Sequence, residues 1–374
     1  MTGLAVAEAG GWRLARRSPY EFARRAVKLV VGVPPTTTAV DLQGAVDRLV
    51  AGHDILRTSY RSVGAQLVRE VDDDQRHLLT IGPSAELPEP DRDRLCTSDL
   101  LRFGYDERRD EAWVVASEML LDTHSGQLLR RALMDQLATP SIPVVGRFSE
   151  YVELAGESAS AATPVGVRSV GSVRPVCAAG KSGYGERVRV LPDAATVGFR
   201  ALCRSLKLTP FMAVVALAAH QVAVQFATRD VALSTAIDRR PRDLAGVLGN
   251  FSADVAIELS VESDFRSTAA AARAAVLRTL RTVGHQVSEP ANLPAIRCHY
   301  LPTGRHFFTV LDRHEAGDVW DEQTDTSAWP MDFGFAEDGK SRLGLWQQWD
   351  RQAFSDSDAE RLALLCTECL LDWG

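Results

Sequence analysis

A segment of small and turn-forming residues divides the sequence into two halves. Between Ala155 and Gly185 the chain is rich in Ala, Ser, Gly, Thr, Val and Pro, with few large apolar residues and no helical period. Such a composition is typical of a linker or a surface crossover. A chain of 374 residues is long enough for two domains of ordinary size. We therefore expect one domain over residues 1–165, a linker over 166–186 and a second domain over 187–374.

Helical and strand-like patterns alternate along both halves. Apolar residues recur at helical spacing over 42–53, 127–137, 193–206, 209–226, 267–283 and 356–371. Runs typical of strands occur at 67–71, 113–116, 231–237, 253–259, 307–311 and 343–349. This alternation favours an α/β or α+β architecture. Ser125, just before the second helical pattern, is expected to be the N-cap of that helix.

The charge and hydropathy of the chain argue against two classes of partner. The formal net charge is −7, whereas binding to a phosphate backbone needs concentrated Lys and Arg, so we expect no nucleic-acid partner. The longest apolar run, over 210–224, is shorter than the ~20 residues that span a bilayer, and it contains His220 and Gln221. The first residues lack the basic and apolar regions of a signal peptide. We therefore expect a cytoplasmic protein without a membrane partner.

The sequence carries no pattern typical of a metal or nucleotide site. The six cysteines are irregularly spaced, and the histidines have no metal-ligand spacing. Cys366 and Cys369 have CxxC spacing, but they lie within the helical pattern at 356–371, which favours reduced thiols packed on a helix. Phosphate-binding glycine motifs are absent from the sequence. We therefore expect neither a metal nor a nucleotide cofactor.

Several short segments, taken in order along the chain, carry a resemblance to a known family. The helical pattern within residues 41–60 ends with His53, Leu56, Arg57 and Thr58 at the spacing H-x-x-L-R-T. Further matching segments lie at 209–212, 231–241, 246–251 and 350–354. Together they resemble the condensation domains of nonribosomal peptide synthetases, which belong to the chloramphenicol-acetyltransferase-like superfamily. Compared with the family pattern, this chain is shortened after Tyr151 and around 287–300.

A shorter match supports the same superfamily. Residues 332–335 have the sequence DFGF, which is similar to the DFGWG motif of plant acyl-CoA-dependent acyltransferases. In those enzymes the motif is regarded as structural and lies away from the catalytic turn. The match therefore supports the superfamily and does not by itself indicate a CoA substrate.

The resemblance implies a fold and a chemistry. The fold would consist of two chloramphenicol-acetyltransferase-like lobes in a V-shaped arrangement with a tunnel between them. The activity would be that of an acyltransferase or cyclase of specialised metabolism, in the synthesis of nonribosomal peptides or polyketides such as antibiotics. Its substrate would be a thioester tethered through phosphopantetheine to an acyl- or peptidyl-carrier protein, or carried on CoA. No further cofactor is implied.

The central motif of the family is altered in this chain. Condensation domains carry His-His-x-x-x-Asp-Gly on a turn between a strand and a helix. Here the strand pattern at 113–116 and the helical pattern that follows fix the register, so that Ser117 and Glu118 replace the two histidines, Asp122 is retained and Thr123 replaces the glycine. In the family the second His is a base or positioning group and the Asp pairs with an Arg. The resemblance therefore implies a structural ion pair between Asp122 and Arg240.

The resemblance also places three residues along the expected tunnel, namely Thr123, Ser234 and Asn250. A β-branched side chain occupies space that glycine leaves open, so Thr123 is expected to narrow the channel. His124 is a further candidate base two residues from Asp122, although a structural role is the alternative for this position.

Two hypotheses about function stay open at this point. In the first, Glu118 is a carboxylate base in a desolvated tunnel, with Ser117 and His124 as further catalytic candidates. In the second, the histidines were lost together with acyl transfer, and the chain is an inactive condensation-like module that recruits a carrier protein or a tailoring enzyme. Retention of Asp122 and Arg240 predicts an intact fold under both hypotheses.

Overall fold

A computed structural model describes residues 6–17, 22, 26–63, 66–84, 87–88, 94–141, 146–153, 183–283, 295–301, 319–320, 330–337 and 342–373. Most of the linker predicted over 166–186 and the whole strand predicted over 307–311 lie outside the described residues. The chain divides into two compact units. Unit 1 comprises Met1–Pro164, Asp238–Ala253 and His285–Glu289, and unit 2 comprises Val165–Ile237, Asp254–Gly284 and Pro290–Gly374. The segment Asp238–Ala253 thus belongs to unit 1, although its sequence position falls in the range predicted for the second domain.

Unit 1 is built from helices and two small sheets. Its helices are α1 (Val6–Arg17), α2 (Ala39–Gly52), α3 (Thr97–Leu100) and α4 (Thr123–Ala138), and residues 148–153 form a further short helix. Its strands are β1 (Ala26–Gly32), β2 (Thr58–Val63), β3 (Gln66–Val71), β4 (Thr80–Ile81), β5 (Arg94–Leu95), β6 (Leu101–Asp106) and β7 (Glu111–Ser117). One sheet has the order β1-β7-β6-β4 and the other has the order β3-β2-β5.

The helix α2 forms because its sequence supplies both a cap and an apolar face. The Thr38 hydroxyl accepts a hydrogen bond from the Asp41 backbone N–H at 3.2 Å, and the Asp41 carboxylate accepts one from the Thr38 backbone N–H at 3.0 Å. This reciprocal capping box satisfies two backbone donors at the helix start. The buried face of α2 consists of Leu42, Ala45, Val46, Leu49 and Val50.

The strand β7 holds the start of the altered motif. It pairs antiparallel with β1 on one side and with β6 on the other. Every residue from Ala112 to Ser117 is buried, which explains the continuous apolar run in its sequence. Because both edges and both faces of β7 are occupied, the position of Ser117 at its end is fixed by the core of unit 1.

Unit 2 contains one large mixed sheet with helices. Its strands are β8 (Tyr184–Val190), β9 (Asp230–Asp238), β10 (Ser252–Ser260), β11 (Ile296–Leu301), β12 (Val319–Trp320), β13 (Met331–Glu337) and β14 (Leu343–Asp350). They lie in the order β10-β9-β11-β13-β14-β8-β12. β11 is parallel to β9 and β13, whereas β14 is antiparallel to β13 and β8. The helices are α5 (Asp193–Leu206), α6 (Pro210–Phe226), α7 (Phe265–Val283) and α8 (Asp356–Leu371).

The helices of unit 2 follow the sequence patterns closely. The helices predicted over 193–206 and 356–371 are confirmed at the same bounds. In α6, Thr209 caps the helix through a hydrogen bond from the Met212 backbone N–H at 3.2 Å, and Pro210 occupies the first helical position. Residues 212–219 are all buried, so α6 is a central core helix. Among the described helices none is by itself long and apolar enough to cross a membrane; α5 and α6 meet that test only as a pair bent by 102°.

The CxxC thiols lie in the core of unit 2, as the helical pattern predicted. Cys366 is buried in α8, and Cys369 packs against the same core. Burial raises the pKa of Cys369 to about 11 and raises the pKa of Cys366 well above its ordinary value. Both side chains are therefore thiols at neutral pH. In the part of the chain that the structure describes, no group of three His, Cys, Asp or Glu side chains is placed to hold a metal ion.

We expect the substitution Gly104→Ala in β6 to destabilise the protein. A Cβ atom at this position would lie 2.1 Å from the Trp113 ring and 2.7 Å from the Thr80 carbonyl oxygen. The ring would have to move, although its N–H donates to the Gly82 carbonyl at 2.8 Å. Overpacking of this kind costs about 1–3 kcal/mol, measurable as a lower melting temperature. Gly32→Ala is the matched control, because no atom lies within 4 Å of its added Cβ; equal melting of both variants would contradict the argument.

We also expect His53 to make stability depend on pH. Burial lowers the pKa of His53 to about 4, against an opposing effect of the Asp54 charge. Since the pKa of His53 in the unfolded chain is near 6.5, the unfolded chain binds more protons between pH 6.5 and 4, and stability falls as pH falls through this window. The loss attributable to His53 is about 3 kcal/mol.

Denaturant unfolding at pH 7 and at pH 4 measures this effect. His53→Gln should show a smaller loss of stability between the two pH values than the wild-type protein does. His124→Gln changes an exposed histidine and should keep the wild-type dependence. An unchanged dependence in His53→Gln would show that the buried ring is not the cause.

Candidate functional site

The turn that follows β7 is anchored from both ends. The Ser117 hydroxyl accepts a hydrogen bond from the Met119 backbone N–H at 3.2 Å, and the Ser117 carbonyl accepts one from the Leu120 backbone N–H at 2.9 Å. Met119, Leu120 and Leu121 are buried in the core of unit 1. The turn therefore has a fixed backbone, and Glu118 alone among residues 117–121 has an exposed side chain.

Asp122 connects this turn to the helix α4 and to a distant segment. It is the N-cap of α4, and its Oδ1 accepts a hydrogen bond from the Ser125 backbone N–H at 2.6 Å. Its Oδ2 accepts one from the Phe251 backbone N–H at 3.0 Å. The prediction that Ser125 is the N-cap is wrong, because the helix begins at Thr123 and Asp122 already supplies the capping oxygen.

Ser125 has a different role, which the sequence did not indicate. Its buried hydroxyl donates to the Gly249 carbonyl oxygen at 2.5 Å and accepts from the Gly249 backbone N–H at 3.1 Å. It also accepts a hydrogen bond from Arg240 Nη2 at 2.8 Å. Ser125 therefore ties the first turn of α4 to the segment Asp238–Ala253.

The ion pair expected between Asp122 and Arg240 is present in unit 1. Arg240 Nη2 lies 3.0 Å from Oδ1 and 3.1 Å from Oδ2 of Asp122, and Nη1 donates to the Val247 carbonyl oxygen. The guanidinium group stacks over the Phe251 ring at 3.8 Å. The side chains are 4% and 9% exposed for Arg240 and Asp122. Burial lowers the pKa of Arg240, and the charge of Asp122 opposes this shift.

Gly249 is required because an aromatic ring lies directly against it. A Cβ atom at this position would approach the Phe148 ring to 2.1 Å. Phe148 and Tyr151 pack against Phe251, with ring centres 5.1 and 4.6 Å from it. The short helix 148–153 thus supports the segment that carries the partner groups of Asp122.

This short helix is held in turn by a buried carboxylate. Asp54 accepts hydrogen bonds from the backbone N–H groups of Phe148 and Ser149, both at 2.9 Å. Hydrogen bonds from this segment and the charge of Arg69 lower the pKa of Asp54, although burial, the largest single influence, acts to raise it. Arg69 also lies 3.2 Å from Glu8 in α1. Sequence reasoning missed Asp54 as a site residue; its only signal is its place beside His53 in the matched segment.

The two residues at the histidine positions have contrasting surroundings. The Ser117 side chain is 1% exposed and is bound to the Met119 backbone. The Glu118 side chain is exposed, whereas the catalytic hypothesis placed it in a desolvated channel. Asn250 Nδ2 donates to the main-chain oxygen of Glu118, so the backbone of Glu118 is held. Its carboxylate makes no hydrogen bond or ion pair with any residue that the structure describes.

The other candidates are dispersed. Thr123 and His124 are exposed in the first turn of α4. Ser234 lies in β9 of unit 2, where it is 0% exposed and its hydroxyl donates to the Ile296 carbonyl oxygen at 3.4 Å. Ser234 was expected to line the tunnel. Because its side chain is fully buried, its hydroxyl is not accessible to solvent or to a substrate. Asn250 is 7% exposed, and its Oδ1 accepts from the Ser252 backbone N–H at 2.9 Å.

The site therefore combines a hydrogen-bonded frame with a carboxylate that has no anchoring partner within the described ranges. The frame consists of Asp122, Ser125, Arg240, Gly249 and Phe251. It can hold the turn at residues 117–121 in one conformation. Chemically, the turn offers a potential proton acceptor or cation-binding group at Glu118, but no imidazole.

Comparison with solved structures identifies the fold. The condensation domain from the monacolin K polyketide synthase MokA matches with a TM-score of 0.75 and 14% identity, over 99% of this chain and 96% of that chain. The X-domain from teicoplanin biosynthesis matches with a TM-score of 0.72 and 15% identity, over 99% and 94%. The X-domain in its complex with OxyB, also from teicoplanin biosynthesis, matches with a TM-score of 0.67 and 16% identity, over 99% and 93%. No protein-family model and no curated protein matches the sequence.

These likenesses extend over nearly the whole chain, and at this level of identity they establish the fold. The chain has the mixed α/β fold of the condensation domains of nonribosomal peptide and polyketide synthases, as the ordered sequence motifs predicted.

We expect Arg240→Met to destabilise the protein strongly. The substitution leaves the buried Asp122 carboxylate without its cation and removes the hydrogen bonds to Ser125 and Val247. Removing one partner of a buried pair costs about 3–5 kcal/mol. Arg242→Met is the control, because Arg242 is exposed and surface substitutions change stability by about 0.5 kcal/mol or less. Denaturant unfolding compares the two; similar midpoints would show that the ion pair does not hold the turn.

Proposed function

We propose that this chain is a condensation-like binding module of a nonribosomal peptide or polyketide pathway, which recruits a carrier protein or a tailoring enzyme without catalysing acyl transfer. The observation that carries the proposal is the contrast at the altered motif. The frame around Asp122 and Arg240 is complete, whereas the positions of the two histidines hold a buried serine and a carboxylate without an anchoring partner among the described residues.

Base catalysis needs more than a titratable group at the right position in the sequence. A general base must lie within hydrogen-bond reach of the proton that it removes, and neighbouring groups must hold it in that orientation. Ser117 uses its hydroxyl to accept a hydrogen bond from the Met119 backbone. Among the residues that the structure describes, Asn250 holds Glu118 through its main chain, and none holds its carboxylate. The arrangement therefore supports preservation of a folded surface better than it supports proton transfer.

The comparisons support a recruiting role by analogy. The X-domain of teicoplanin biosynthesis, which shares this fold, is known in a complex with OxyB. Binding to OxyB is a property of the X-domain and is not a finding about this chain. The X-domain is nevertheless an example of a condensation-like fold that binds a second protein, which is the role proposed for this chain.

A second candidate function is acyl transfer or cyclisation with Glu118 as the base. One observation favours it: the Glu118 carboxylate is exposed on a turn whose backbone is fixed by Ser117 and Asn250, so a bound substrate could reach it. The substrate would be a thioester on a carrier protein or on CoA, and a hydroxyl or amine would attack it. Because thioesters are already activated, positioning alone supplies part of the rate.

Titration and turnover measurements separate the two functions. The full chain is titrated with phosphopantetheinylated carrier proteins and with oxygenases of the same pathway, and mixtures with acyl-loaded carrier and an amine are analysed by mass spectrometry. For a binding module we expect a complex with a carrier or an oxygenase and no product above the uncatalysed rate. Product formation by the wild-type chain would overturn the proposal.

The variant Glu118→Gln is a second test that separates the binding module from the acyltransferase. As a binding module, the variant should bind its partner as the wild-type chain does. As an acyltransferase, it should lose about 10²–10⁴-fold in turnover, the usual contribution of a general base. Glu107→Gln, which changes an exposed carboxylate in the β6–β7 turn, is the matched control and should behave as wild type in both assays.

A further inference from the structure

The helix α7 carries charge of one sign only. Its 19 residues include four arginines, at positions 266, 273, 278 and 281, and no acidic residue. The protein as a whole has a formal net charge of −7. The concentration of positive charge is therefore a local feature of this helix. The average composition of the protein, which is acidic, does not account for it.

The arginines lie on the side of α7 that faces away from the core of unit 2. The buried side consists of small and apolar residues, namely Thr268, Ala269, Ala272, Ala275 and Val276. Arg266, Arg273 and Arg281 are exposed, and the period of 3.6 residues places them along one face. Leu277 and Leu280, which lie between Arg273 and Arg281 along the same face, are 37% and 48% exposed. We call the surface formed by Arg266, Arg273, Leu277, Leu280 and Arg281 the basic strip.

Contacts within the protein explain only part of the basic strip. Arg278, at its edge, donates to the Glu258 carbonyl oxygen at 3.3 Å, and the guanidinium of Arg266 lies 5.8 Å from the Trp373 ring centre. Arg273 and Arg281 form no ion pair with any residue in the described ranges. A cation near the helix C-terminus is stabilised by the helix dipole, which accounts for Arg281 but not for Arg273 in the middle or Arg266 in the first turn.

We propose that the basic strip is a docking surface for an acidic helix of a partner protein. Arginine suits this role because its guanidinium group binds a carboxylate through two parallel hydrogen bonds and stays charged at all relevant pH values. The two exposed leucines provide apolar contact between the cations, so a partner helix with carboxylates flanking an apolar residue matches the strip. The proposal rests on the proposed function in one respect, namely that the partner is the protein that this module recruits.

A membrane fits the basic strip less well. A helix that lies in a membrane interface inserts its apolar face into the lipid. In α7 that face is occupied by the core of unit 2, which leaves two leucines and no aromatic side chain on the exposed side. The net charge of −7 also repels an anionic bilayer. An acidic helix does not have to insert an apolar face, and it contacts the strip alone, whereas an extended anionic bilayer also faces the acidic remainder of the surface.

Binding of a synthetic acidic peptide tests the basic strip directly. The probe is a fluorescein-labelled helical peptide in which Glu residues flank Leu residues along one face. It is titrated with the full chain, and binding is followed by fluorescence anisotropy. We expect R273E/R281E to weaken binding at least tenfold, and R273Q/R281Q to weaken it less, because it removes charge without reversing it. The control is R130E/R131E, which makes the same charge change at two exposed arginines of α4 and should bind within twofold of wild type.

Three results would overturn the proposal. The first is no binding of the peptide by the wild-type chain, and the second is equal binding by R273E/R281E and R130E/R131E. The third is binding of the wild-type chain to phosphatidylglycerol vesicles and not to the peptide, with this vesicle binding lost in R273E/R281E. Because the substituted side chains are exposed, we expect all variants to melt at the wild-type temperature, and this measurement is the folding control. If R273E/R281E does not fold, R273Q/R281Q replaces it in the comparison. The peptide assay involves no turnover, so its failure is distinct from detection of acyl transfer, which would overturn the proposed function.

Discussion

The conformation of the altered motif depends on the buried ion pair between Asp122 and Arg240. The two residues are separated by 118 positions in the sequence, and the pair forms because the chain returns from β9 to contribute Asp238–Ala253 to unit 1. Since both charges are removed from water, their pairing and the added hydrogen bonds from Phe251 and to Val247 offset the desolvation cost. Glycine at 249 allows that segment to lie against Phe148, and the turn after β7 takes its position from the result.

This arrangement separates the groups that maintain structure from the positions that hold the histidines in condensation domains. Asp122 and Arg240 are structural in unit 1, whereas three positions differ from the motif of condensation domains: Ser117 and Glu118 stand at the histidine positions and Thr123 stands at the glycine position. Such a frame can form whichever residues stand at the histidine positions, because none of its contacts uses the side chain of Ser117 or Glu118. The same separation explains how related folds can serve catalysis in one protein and protein binding in another.

The sequence supported the fold more fully than the site. Helices such as α5 and α8 could be predicted because their apolar periodicity is local. The Asp122–Arg240 pair could be predicted because the motif resemblance supplied a distant partner. The bridging role of Ser125 could not be predicted, since it depends on a tertiary contact with Gly249. The support of Phe148 by Asp54 was missed for the same reason, and the exposure of Glu118 depends on packing that no local pattern encodes.

The contribution of Asp238–Ala253 to unit 1 also has a consequence for folding during protein synthesis. At translation rates of about 5–20 residues per second, Arg240 is added roughly 6–24 s after Asp122, because 118 positions separate them. During this interval the nascent unit 1 has an uncompensated carboxylate at the start of α4 and an uncovered aromatic surface at Phe148. The amino-terminal half of this protein therefore cannot complete its fold as it leaves the ribosome, and a chaperone that shields this surface would have a defined interval in which to act.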